Sequence, residues 1–98
     1  MTLYVILPEN DMSPEQIARR SELMPAHKKF LTDNAALIWA AGPLRDEAGA
    51  ESTGSMWVVT TETKAAADAF FRTDPFFPTR SGYKIQHWIC AFPETRKD

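Results

Sequence analysis

Apolar residues along this chain fall into short blocks, and the blocks change period between proline- and glycine-bearing breaks. Leu3 to Leu7 is a continuous apolar run rich in aromatic and β-branched residues and closed by Pro8, the pattern of a buried strand. Glu9 to Met12 is polar and reads as a loop. Ser13-Pro14-Glu15-Gln16 then marks a helix start, with Ser13 as cap, Pro14 at the first helical position and Gln16 completing a capping box. The helix is predicted from Pro14 towards Thr32, with Pro25 kinking or dividing it. Leu37 to Ala41 reads as a second strand closed by Gly42-Pro43, and Leu44 to Thr53 as a turn-prone connection. Gly54 to Thr60 alternates as a third strand. Thr63 caps an Ala-rich helix over Lys64 to Arg72, ended by Asp74-Pro75. Phe76 to Ser81 reads as a loop or short turn, Tyr83 to Phe92 as a long fourth strand, and Glu94 to Asp98 as a frayed tail.

The order β-α-β-β-α-β is the split-βαβ, ferredoxin-like arrangement, an α+β fold. It predicts a four-stranded antiparallel sheet with two helices on one face, over residues 1–98 as a single domain. Strand four carries Tyr83, Ile85 and Ile89 on one side and Trp88, Cys90 and Phe92 on the other. A sheet apolar on both faces needs a cover for the second, and the economical cover is a second copy, giving a homodimer with sheets face to face.

Composition narrows the function. Eleven basic against thirteen acidic residues give a net charge of -2, the wrong balance for nucleic acid as the main partner. No apolar run approaches the roughly 20 residues of a membrane span, and the first residues lack the basic flank of a signal peptide, so the expected location is the cytoplasm. The lone cysteine, Cys90, excludes an intrachain disulfide framework and reads as a packed strand residue. No His/Cys/carboxylate set falls at metal-ligand spacing and no Gly-rich phosphate loop is present, so neither metal nor cofactor is expected.

Two histidines remain. Counting by three and four puts Arg20, Met24, His27 and Leu31 on one helical stripe, pointing His27 towards the sheet. There it reads either as a general base or as a structural histidine. Asp74 reads either as part of an ordinary helix-ending turn or as a carboxylate that meets His27 and fixes its tautomer. His87 reads as a dimer-face or edge residue. Phe76 and Phe77, on a loop without core periodicity, are the candidates for lining a pocket, and the faces used by Trp39 and Trp57 stay open.

Several stretches, taken in order, resemble the YCII-related (YciI-like) family. They are Leu3-Tyr4-Val5-Ile6, Pro25-Ala26-His27 followed by Leu31, Ala41-Gly42-Pro43-Leu44, Gly54-Ser55, and Asp74-Pro75-Phe76 after an Ala-rich helix. The resemblance spans essentially the whole chain. It implies a ferredoxin-like dimeric α/β barrel and a His-Asp dyad that falls on His27 and Asp74. Arg20 sits where many relatives carry an arginine seven residues before the histidine, and Ser55 matches the serine of the Gly-Ser strand. Met24 departs from the pattern, because relatives often read Arg-Pro-Ala-His. That points to a less charged substrate or to Arg20 in the arginine's place. Within and around the family, known chemistry acts on small cyclic compounds from aromatic degradation, including dehydrochlorination of chlorinated hydroxyquinols.

The expected function is therefore a cofactor-free lyase or isomerase. His27 and Asp74 remove a proton from a small hydroxylated or chlorinated ring compound, and Arg20, Ser55, Pro75 and Phe76 bind it. The alternative is a module that binds a small molecule or a partner without chemistry. A haem- or oxygen-using enzyme finds no axial-ligand arrangement to support it.

Overall fold

The computed structural model describes residues 1–93. Its elements run β1 (Thr2–Asn10), α1 (Pro14–Asp33), β2 (Ile38–Arg45), β3 (Ser52–Thr61), α2 (Lys64–Phe71), a single 3₁₀ turn (Phe77–Thr79) and β4 (Arg80–His87). The sheet order is β2-β3-β1-β4, all antiparallel, which is the ferredoxin-like α+β arrangement. The expected tail Glu94 to Asp98 lies outside the described residues. None of the helices among them is long and apolar enough to cross a membrane.

The two faces of the sheet separate by strand parity. Tyr4 and Ile6 of β1, Trp57 and Val59 of β3 and Ile85 of β4 face the helices, where Ala67 and Phe71 of α2 complete the main core. Leu3, Val58 and Cys90 form a smaller cluster on the opposite face, with Trp88 packed against it. Trp57 is thus a core residue, while Trp39 lies tilted against Trp88 at 5.7 Å between ring centres and is 44% exposed.

Several boundaries differ from the sequence expectation. Pro8 does not end β1; instead the β1–β3 ladder passes from Ile6↔Trp57 to Glu9↔Gly54, skipping the neighbourhood of a residue with no N–H. Gly42-Pro43 does not end β2 either, since an edge strand tolerates a proline. α1 continues undivided for 20 residues through Pro25. Its capping box is half formed: the Ser13 hydroxyl accepts from the Gln16 N–H at 3.4 Å, but Oε1 of Gln16 is buried without a partner.

β4 stops at His87, so Ile89 and Phe92 are exposed rather than strand residues, although Cys90 is buried as expected. The outward positions of β4 are Lys84 and Gln86, which face Leu7 and Val5 of β1. The apolar character of the second face therefore comes from β1, β2 and β3. His87 pairs with Tyr4, its ring 5.7 Å from the tyrosine, which puts it on the helix side of an edge strand and not on the open face.

Candidate functional site

α1 has no fully buried residue. The helix stands away from the β2–β3 half of the sheet, and between them lies a cavity of about 610 Å³. The stripe Arg20, Met24, His27 and Leu31 lines its helical wall. Ser55 and Trp57 of β3 line the facing wall, with Phe76 and Arg80 between.

His27 is held from two directions. Its Nδ1 lies 2.7 Å from Oδ1 of Asp74, and its ring stacks on Phe76 with centres 3.9 Å apart and planes 6° from parallel. An ionised carboxylate accepts only, so this contact places the hydrogen on Nδ1 and leaves Nε2 as the acceptor nitrogen. The His27 side chain is 14% exposed, enough for the ring to reach the cavity.

Asp74 owes its place to the turn after α2. Its N–H donates to the Phe71 carbonyl at 3.1 Å, its own carbonyl accepts from Phe77 N–H, and its Oδ1 accepts from Phe76 N–H at 3.2 Å. That local side-chain bond is the Asx turn expected of an Asp two residues before its donor. The same turn carries Phe76 under the imidazole, so one short segment supplies both the carboxylate and the stacking ring.

The second carboxylate oxygen is also taken. Nη2 of Arg80 donates to Oδ2 of Asp74 at 2.6 Å, and Nη1 donates to the Ser55 hydroxyl at 3.4 Å. The Arg80 side chain is 4% exposed and that of Asp74 fully buried. The guanidinium lies 5.1 Å from the Phe71 ring centre, 5.8 Å from Trp57 and 5.9 Å from Phe76, so aromatic faces help to hold its charge. Its Nε is buried with no hydrogen-bond partner among the described residues.

The electrostatics follow from this arrangement. Burial pushes the Asp74 carboxyl up, but the hydrogen bonds from His27 and Arg80, with their charges, outweigh it and hold the group below the usual carboxylate range. Burial lowers Arg80 from the usual guanidinium value against the opposing pull of Asp74. Arg20 is lowered as well, by burial and then by the like charge of Arg80.

The residues singled out from the sequence have different places. His27 and Asp74 meet, and Phe76, Ser55 and Arg20 line the cavity around them. Arg20 is also a strut: Nη1 donates to the Thr79 carbonyl and Nη2 to the Asp11 carbonyl, each at 2.8 Å. Pro75 is not among the residues that line the cavity, although Phe76 beside it is. Phe77 packs in the core against Phe71 and Tyr83 instead of entering the pocket.

Arg80 was not foreseen. Counting back by two from Ile85 gives Tyr83 and Ser81 as inward residues, which leaves Arg80 pointing out. A bulge intervenes, since Glu9 pairs with Gly82 but Asn10 with Arg80, and the extra residue Ser81 reverses the alternation. The available signal was chemical: an arginine beside two buried aromatic blocks needs a carboxylate, and Asp74 lies six residues earlier. Among the described residues no cluster of His, Cys, Asp and Glu has the makings of a metal site.

The family model of the YCII-related domain matches residues 2–89. Among solved structures, the chain is similar to the 5-chloro-2-hydroxyhydroquinone dehydrochlorinase TftG from Burkholderia phenoliruptrix AC1100, in complex with 2,5-dihydroxybenzoquinone. The TM-score is 0.73 at 22% identity, over 88% of this chain and 92% of that one. A protein of Arabidopsis thaliana matches with a TM-score of 0.44 at 17% identity, over 90% and 93% of the two chains. No curated protein matches.

Proposed function

The chain belongs to the YCII-related family, and we propose that it is a cofactor-free lyase or isomerase acting on a small hydroxylated or chlorinated ring compound. The observation that carries this reading is the 2.7 Å contact between Nδ1 of His27 and a buried Asp74 whose charge is held in place by Arg80. A histidine fixed at one nitrogen and open to a cavity at the other is built to accept a proton there.

The step runs as follows. Nε2 of His27 takes the proton of a ring hydroxyl, and the electron pair left behind forms a carbonyl as ring density shifts. His27 returns the proton to a ring carbon. If the proton stays there, the result is a displaced double bond. If that carbon bears chlorine, it becomes tetrahedral, and loss of a second hydroxyl proton expels chloride. The net loss is HCl, the ring ends as a quinone, and no outside oxidant is required. The dehydrochlorinase similar in structure supports this second course.

Asp74 keeps the imidazole oriented and stabilises its protonated form. The Ser55 hydroxyl, set by Arg80, is placed to donate to the developing oxygen anion. Arg20 contributes charge more than free donors, since two of its nitrogens already serve backbone carbonyls. Phe76 fixes the imidazole plane from behind. The working unit in this reading is a cytoplasmic homodimer joined through the open sheet face.

Chloride release from 5-chloro-2-hydroxyhydroquinone tests the elimination course. Wild-type protein is expected to release chloride, and His27→Ala to lose about 10²–10⁴ of the rate while retaining its fold by circular dichroism. Equal release by the two proteins removes the role of His27. A binding module without chemistry would instead show ring compounds bound, His27→Ala binding them as well, and neither chloride release nor double-bond migration.

A further inference from the structure

We propose that the cavity selects a ring acid, a substrate that carries a carboxylate at the end remote from the proton His27 removes, with Arg45 and Arg20 as its binding pair. This inference rests on the reading of His27 as the base and adds the substrate's charge and its orientation.

The first support is the distribution of charge. The chain as a whole is acidic, with eleven Lys and Arg against thirteen Asp and Glu. Yet four of the basic residues, Arg20, Lys28, Arg45 and Arg80, line the cavity, with Glu51 as the one acidic lining residue. Asp74 neutralises Arg80 from behind. Among the described residues neither Lys28 nor Arg45 is in an ion pair. A concave site of one sign in a protein of the other concentrates the oppositely charged ligand.

The second support is where these charges lie. Arg45 pairs with Ser52 at the far end of the β2–β3 hairpin, beside Glu51 and next to Asn10, whose Nδ2 donates to the Ser52 carbonyl at 3.4 Å. Arg20 is tied to the carbonyl of Asp11, the residue after that same Asn10, and so stands towards this end of the cavity. His27 lies seven residues further along α1, about 10 Å by the rise of a helix, and faces Trp57, five residues along β3 from Ser52. The cavity thus has a proton-accepting end and a cationic end on two facing walls. The carbonyl bonds of Arg20 fix its guanidinium without cancelling its charge, which makes it a rigid anchor and leaves Arg45 as the adaptable partner.

The third support is Met24. This uncharged side chain lines the cavity on the helical stripe between Arg20 and His27. The middle of the cavity is apolar there, with Leu31 and Trp57 also contributing, which suits a ring lying between two polar ends.

The test compares 4-hydroxybenzoate with 4-hydroxybenzamide, which share shape and hydroxyl and differ in charge, by NMR titration of the full chain while the His27 ring signals are followed. The acid is expected to bind on the order of tenfold more tightly than the amide, with the preference shrinking as salt is raised. Arg45→Met is expected to remove most of that preference, lowering affinity for the acid far more than for the amide. Equal affinities, no binding of either probe at millimolar concentration, or a preference untouched in Arg45→Met each overturn the proposal. The reading of His27 fails separately: if the acid is preferred but the His27 signals ignore it, the cationic end stands and the base does not.

Discussion

Arg80 donates to Oδ2 of Asp74 at 2.6 Å, with both side chains shut away from water. A buried pair of this kind contributes little relative to an apolar replacement, but removing one partner leaves the other charge stranded. Asp74→Asn is therefore expected to cost about 3–5 kcal/mol in urea denaturation. The exposed pair Lys29–Asp33 has nearly the same length, 2.7 Å, with side chains 76% and 56% exposed. Solvent screens it, so Lys29→Ala is expected to change stability by less than about 0.5 kcal/mol. A similar cost for both variants would show that Asp74 is not held as described.

The same carboxylate sets an acid limb to stability. Its value in the folded chain lies below the usual range because the bonds from His27 and Arg80 prevail over burial. Above the unfolded carboxyl value, about 3.9, Asp74 binds no proton in either state, and its full contribution to stability is present. As pH falls below that value the unfolded chain takes up a proton first, and the contribution is progressively lost until pH passes through the folded value. Urea midpoints measured from pH 6 downwards are expected to fall more steeply in the wild type than in Asp74→Asn. Parallel curves would mean that another carboxylate governs the acid transition.

How much of this was legible depended on whether a local signal agreed with the tertiary setting. Ser13, Thr63 and the Asp74-Pro75 break marked helix ends correctly because caps and turns are decided by neighbouring residues. The stripe through Arg20 and His27 was legible because a continuous α1 keeps helical period across Pro25. Pro8 and Pro43 misled for the opposite reason: a proline ends a strand only where its missing N–H is needed, and that depends on strands paired from elsewhere. Arg80 was hidden by the bulge at Ser81, a feature of pairing with β1 that no residue of β4 announces. Likewise the proposed pairing of Arg20 with Arg45 was invisible in the sequence, because only the packing of helix and hairpin makes both of them line one cavity.

Gly54 precedes the Ser55 of the site and pairs with Glu9 of β1. A Cβ at this position would lie 2.6 Å from the Pro8 carbonyl oxygen, a backbone atom that moves only if the strand moves. Gly54→Ala is expected to destabilise the protein by about 1–3 kcal/mol, the usual cost of overpacking. Because the displaced strand carries Ser55, the variant should also weaken ligand binding at the cavity. Unchanged thermal stability and binding would show that β1 yields without disturbing β3. The glycine at 82, with open space around it, serves as the control, and Gly82→Ala should leave binding unaltered.

The open face of the sheet gives the last prediction. Met56 in β3 and Leu44 in β2 are exposed there, together with Trp39, while Val5 and Leu7 of the central strand β1 are only half-covered. Their neighbours in the central sheet, Leu3 and Val58, are already buried with Cys90 under the segment that follows β4. A contiguous apolar surface of this kind, on a chain of 11.1 kDa with a small core, gains stability when a second sheet covers it. Sedimentation equilibrium is expected to give twice the chain mass. Met56→Lys places a charge in the middle of the face on a central strand, where burial against a twin would set two ammonium groups together in a dry interface. That variant is expected to sediment as a monomer with its helical signal intact. A wild-type monomer, or a Met56→Lys dimer of unchanged affinity, would place the association elsewhere or nowhere, and the cavity on the other face of the sheet would then have to work in a single chain.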